Sequence, residues 1–186
     1  MGEDKQRSIY IKPLRVDVVQ RASVRNPLRS IVIARHVQRV LNECGAPEPA
    51  SVTLVLTDDA ELADLNREHM GQRGPTDVLS FPMLPPEVFR RSAGPGSART
   101  AERMSELGPP GRTHIGDIAI SVERAAEQAA EGRGGQTGDI KWSTADELRL
   151  LVTHGTLHLC GWDHTEPAEE VAMRALERRL LGPVEG

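Results

Sequence analysis

"TADELRLLVTHGTLHLCGWDH", residues Thr144 to His164, reads as the one helix of the chain that is apolar on most sides, and it crowds three of the chain's six histidines around a glycine. Thr144 with Glu147 reads as a capping box that launches a helix. A helix apolar on most sides must be surrounded by other elements, so this one is predicted to be central to the fold. Residues four apart project from nearly the same helical face, so His154 and His158 present neighbouring imidazoles. Gly161 can then adopt a left-handed conformation that stops the helix, and the reversed chain brings His164 back to the same point. Three nitrogen donors from a rigid helix and a turn suit Zn²⁺ and leave a fourth tetrahedral position for water or substrate. An open position implies catalysis more than structure. Ni²⁺, Co²⁺ and Cu²⁺ also accept three imidazoles, so the donors alone do not choose the metal.

The chain around this stretch reads as one domain. At 186 residues it is long enough for a single compact core. Only five residues are aromatic, so Val, Leu, Ile and Ala must fill the interior. The longest apolar stretch, around Ile31 to Ala34, is far too short to span a bilayer, and the polar start from Met1 to Arg7 lacks a signal-peptide core. No membrane association and a cytoplasmic address are the expectations. Cys44 and Cys160 are too few for a disulfide framework and are expected to be buried thiols. The net charge of -4 argues against wholesale coating of nucleic acid, yet residues 1–39 hold nine Lys/Arg against three Asp/Glu, a local excess of +6.

Strands and helices alternate along the chain. "LRVDVVQ" (14–20), "SVTLVLT" (51–57), "GPTDVLSFP" (74–82) and "HIGDIAIS" (114–121) read as strands. A helix is predicted from an Asn26 cap, with Pro27 in its first position, to Gly45. A short one follows Asp58 and Glu61, placed as a capping box; another starts at Val122 and ends at glycines; a last amphipathic helix covers about 166–181. Pro, Gly, Ser, Ala and Arg dominate 85–112, which reads as a flexible insertion with one helical turn near 100–107.

The histidine spacing also matches the metzincin peptidases, which carry glutamate directly after the first histidine as general base. This chain has Gly155 there, which cannot move a proton through a side chain, so peptide hydrolysis ranks low.

"HGTLHLCGWDH" (154–164) closely resembles the H-G-x-L-H-L-x-G-[YFW]-D-H signature of the YbeY family of bacterial rRNA maturation endoribonucleases. "PTDVLSFP" (75–82), "GDIAIS" (116–121) and the pair Leu65-Asn66 match further blocks in the same order, from about Ser51 onward. The resemblance implies an α+β fold, a single domain with a small mixed β-sheet packed with several helices around a central metal-bearing helix. It implies a metal-dependent, single-strand-specific endoribonuclease acting in maturation of the small-subunit rRNA 3′ end and in ribosome quality control. Its implied partners are single-stranded RNA, small-subunit ribosomal RNA, a small-subunit ribosomal protein and a ribosome-assembly GTPase. The family's zinc ligands fall on His154, His158 and His164, one ion per chain. Asp163 also matches the signature, and its readings are an acceptor for a ligand's other ring nitrogen, a stabiliser of the turn, or equally a plain surface aspartate.

One departure concerns phosphate binding. Members commonly carry arginine where this chain has Met70, and a thioether cannot bind phosphate. Arg67 and Arg73 are the nearby candidates to supply the guanidinium, and the general base is not identified from sequence. A rival reading from another class is a ribosome-assembly module that binds RNA or protein and whose metal is structural.

Overall fold

The computed structural model describes residues 3–74, 76–89, 111–132 and 142–182. Five strands form one mixed sheet: β1 (Lys5–Ile11), β2 (Leu14–Gln20), β3 (Ala50–Thr57), β4 (Val78–Pro82) and β5 (Thr113–Ser121), in spatial order β1-β2-β3-β5-β4. The two edge pairs are antiparallel, whereas β2–β3 and β3–β5 are parallel. Five α-helices accompany them among the described residues: α1 (Ser30–Cys44), α2 (Asp59–Leu65), α3 (Val122–Ala130), α4 (Thr144–Leu159), α5 (Pro167–Leu181). The α+β expectation, with α4 at the centre, holds.

Side-chain alternation along the strands separates two faces. Val52, Leu54 and Leu56 of β3 and Ile118 and Ile120 of β5 enter the main core beneath α1 and α4, while Val55 and Ala119 turn to the smaller cluster around Leu62 of α2. α1 packs over β1 and β2, α4 over β4 and β5, and the two helices touch side by side. Leu148, Leu157 and Leu159 of α4 have no accessible surface. Each such burial contributes about 1.5–3 kcal/mol relative to exposure. Cys44 and Cys160 are buried thiols, as expected.

Several boundaries differ from the sequence reading, each for a local reason. α1 starts at Ser30 because the Asn26 side chain accepts from the Leu28 N–H at 2.8 Å, forming a turn instead of a cap. Asp58 does cap α2, but the Glu61 carboxylate pairs with Arg21 (Nη2 to Oε1 2.6 Å) and so leaves the reciprocal half unmade. A π-helical turn, Asn66–Met70, continues that helix. The capping box of α4 is Ser143 with Asp146, one residue before the predicted pair, while the buried Glu147 accepts from the Trp142 indole at 2.6 Å. β1 was not foreseen: it is an edge strand, mostly exposed, so no burial alternation marks it.

The start of the predicted insertion belongs to the folded body. Pro86–Val88 form a 3₁₀ turn, and Val88 and Phe89 are buried in the main core. The helical turn expected near 100–107 lies outside the described residues.

Candidate metal centre

α4 and the bend that follows it assemble the histidines. The bend closes through two hydrogen bonds, Trp162 N to Leu157 O (3.1 Å) and Gly161 N to His158 O (3.0 Å), the paired pattern of a glycine-terminated helix. Gly161 has φ +79°, and a Cβ there would lie 2.5 Å from the Pro86 Cβ. Left-handed backbone and close approach both require glycine, and together they seat the bend against the 3₁₀ turn.

One ligand nitrogen from each of His154, His158 and His164 lies within 4.8 Å of the others. The three residues that sequence reasoning joined are therefore together in space. His158 Nδ1 stands 2.8 Å from the carbonyl oxygen of Trp162, and a carbonyl only accepts, so the hydrogen is on Nδ1 and the lone pair on Nε2. His154 Nδ1 is 2.5 Å from Glu177 Oε1, and a carboxylate oxygen accepting there places the hydrogen on Nδ1 in the same tautomer. The two Nε2 atoms then face each other at 3.0 Å. Two lone pairs at that distance repel unless a cation lies between them. Imidazole nitrogens around a tetrahedral zinc at about 2.0–2.1 Å stand about 3.3 Å apart, so the donor set fits such an ion. Burial, with the neighbouring imidazoles of His154 and His164, holds the His158 pKa below the ordinary histidine value and keeps its ring in the neutral, ligating form.

Glu177 was missed from sequence, although a signal existed. It sits on α5 among Met173, Leu176 and Leu180, a carboxylate inside a buried stripe. Asp163 stabilises the bend: its Oδ1 accepts from the His164 N–H at 2.7 Å and its Oδ2 from the Thr165 hydroxyl. These two hydrogen bonds hold its pKa below the usual carboxylate range.

Beside the histidines lies a cleft of about 270 Å³, lined among others by Asp77, Glu147, His154, His164, Arg174 and Glu177. Asp77 is anchored by Gln128, whose Nε2 donates to Oδ2 at 2.9 Å. Neither Arg67 nor Arg73 lines this cleft. Arg67, on the π turn, pairs with Asp64 at 2.7 Å, and Arg73 and Met70 are exposed on either side of Gly71. Among the described residues, the cation that does line it is Arg174, paired with Glu170 at 2.8 Å.

Gly155 faces away from the cleft, into the sheet. A Cβ there would meet Ile118 Cγ2 at 2.9 Å and Val78 Cγ2 at 3.1 Å, and its carbonyl accepts from the Ser80 hydroxyl at 3.0 Å. A glutamate at this position has no room, so the base of a metzincin is not merely missing but sterically barred.

The family model for Endoribonuclease YbeY matches residues 19–185. The Endoribonuclease YbeY of Salinispora tropica is 42% identical over 151 residues, which cover 81% of this chain and 83% of that protein. That of Micrococcus luteus is 37% identical over 172 residues, 92% of each. That of Symbiobacterium thermophilum is 38% identical over 152 residues, 81% of this chain and 83% of the relative. A solved structure of a Thermotoga maritima protein aligns with a TM-score of 0.47 at 21% identity, covering 90% of this chain and 86% of that one.

Proposed function

Since the chain belongs to the YbeY endoribonuclease family, we propose that it is a metal-dependent, single-strand-specific endoribonuclease of small-subunit rRNA 3′-end maturation and ribosome quality control. The observation that carries this reading is the pair of facing Nε2 lone pairs of His154 and His158, with His164 beside them. Zinc is the proposed ion, and His154, His158 and His164 its ligands. When bound, such an ion acts as a Lewis acid toward a phosphoryl oxygen or a water.

The protein's own groups do the rest. Glu177 and the Trp162 carbonyl hold two imidazoles in the ligating tautomer. Arg174 offers positive charge to a phosphate in the cleft, and Arg67 and Arg73 are proposed contacts for the RNA outside it. Asp77 and Glu147 supply carboxylates in the cleft, the group type that takes a proton from water or from the RNA 2′-hydroxyl. The proposed setting is the cytoplasm, with small-subunit ribosomal RNA, a small-subunit ribosomal protein and a ribosome-assembly GTPase as partners; family membership supports these.

The test pairs metal content with cleavage of single-stranded RNA by wild type and by an identically purified, folded His158→Ala variant. Cutting by wild type that disappears with the metal supports the proposal. Product ends separate the routes, because a 2′,3′-cyclic phosphate identifies the 2′-hydroxyl as the attacking group. The second reading, an assembly module with a structural metal, draws on Met70 in place of the family arginine and on Arg67 being tied to Asp64. It expects wild type to bind RNA or a ribosomal protein and to leave RNA whole with zinc present.

A further inference from the structure

The positive excess of residues 1–39 has a definite place in the fold. Arg15 pairs with Asp17, and Arg21 with Asp4 and Glu61, whereas Lys5, Arg7 and Arg29 are among the seven other cations of this stretch, none of which has an ion pair among the described residues. These three line one groove of about 400 Å³ between the β1–β2 edge of the sheet and the start of α1. Lys5, Arg7 and Ile9 alternate along β1, so they share a face, and the two cations are separated by about 7 Å along the strand. Arg29 approaches from the opposite wall. Ile9, Leu28 and Ile31 add apolar surface to it. The first turn of α1, fifteen residues long, contains no acidic residue and no side-chain cap, so its amides and dipole add to the positive field.

We propose that this groove binds the phosphodiester backbone of single-stranded RNA at a distance from the histidine centre. The inference rests on the RNA-directed reading above. β1 and β4 are separated by four inter-strand steps of about 4.8 Å, so the groove is about 19 Å across the sheet from the edge that carries Asp77 and the cleft. An RNA strand held at both places crosses the molecule. A concave groove with cations on two walls suits a narrow polyanion better than a flat anionic membrane. The apolar surface accommodates riboses and bases without selecting among them, because the two amides that line it are already engaged, Gln20 Nε2 with the Val24 carbonyl and Asn26 Oδ1 with the Leu28 N–H.

The experiment measures binding of 2′-O-methyl RNA, intact by gel, to wild type, Lys5→Glu/Arg7→Glu/Arg29→Glu and the neutral Lys5→Gln/Arg7→Gln/Arg29→Gln protein. Oligomers of about 16 and about 4 nucleotides bracket the usual single-strand site sizes. The expected result is a loss of about tenfold or more for the long oligomer at low salt and a fall of about 2 in the salt slope, three phosphates at about 0.7 each. Binding of the short oligomer, and any cleavage of its unmodified RNA form, stay unchanged. Equal loss for both lengths, an unchanged slope, or tighter retention of polyglutamate than of RNA overturns the proposal. Wild type that binds in this groove-dependent way yet never cuts the same sequence as unmodified single-stranded RNA supports the groove and removes the nuclease reading.

Discussion

The two edges of the sheet carry opposite chemistry. At the β4 edge, imidazoles and carboxylates converge around a cleft, and at the β1 edge, unpaired cations line a groove. They also differ in rigidity of construction. Every histidine of the first is fixed by a helix or a glycine bend, and two are fixed again by an acceptor on the far ring nitrogen. Lys5 and Arg7 stand on an exposed edge strand with no such second support. Holding an ion demands donors placed to fractions of an ångström, whereas attracting phosphate demands only charge within a Debye length.

The largest expected effect comes from breaking the rigid edge. His158→Ala should lose the metal and fall to background cleavage while keeping its circular dichroism spectrum, since His158 is only half-buried and the substitution leaves the α4 backbone hydrogen bonds in place. Metal analysis and an RNA gel check this together; retained metal would remove the histidine from the ligand set. Glu177→Gln keeps the shape but removes the charge facing His154, and metal affinity should drop about 10–100-fold in a competition titration with a chromophoric chelator. An unchanged affinity means that Glu177 is merely structural.

Smaller effects test the packing beneath that edge. Gly155→Ala places a Cβ 2.9 Å from Ile118 and should cost about 1–3 kcal/mol in denaturant unfolding, with the glutamate variant worse. Neutral behaviour there would reopen the peptidase comparison. The smallest effect concerns the ion pair that joins β2 to α2. Hydrogen bonds from Arg21, with that of Thr57, hold the Glu61 pKa below its ordinary 4.5. A depressed carboxylate pKa contributes stability that is present above 4.5 and is lost as pH falls through the lower folded-state value. Stability of wild type should therefore decline across the acid limb more steeply than that of Glu61→Gln, by about 1 kcal/mol or less. Parallel curves would show that the pair contributes nothing measurable.

How much was legible depended on sequence distance. His154, His158, Gly161 and His164 lie within one helix and its bend, where 3.6-residue periodicity and the left-handed stop act on neighbouring residues. The buried strands β2, β3 and β5 showed themselves through β-branched runs. β1 did not, because an edge strand facing water needs no apolar pattern. The shifted capping box has a simpler origin: Ser143-Thr144 and Asp146-Glu147 offer two equivalent registers, and the Trp142 indole takes Glu147 for itself.

The order and spacing of His154, His158 and His164 and the central place of α4 were determined by the sequence alone, because each follows from local periodicity or from a contiguous motif, and the α+β class followed from the family that this motif resembles. Only the tertiary structure decided that Glu177 stands behind His154, that Arg174 and not Arg67 or Arg73 lines the cleft, and that Lys5 and Arg7 meet Arg29 across a groove. Those pairings join residues more than twenty positions apart, and no local rule fixes which distant side chains the packing of helices on a sheet will bring into contact.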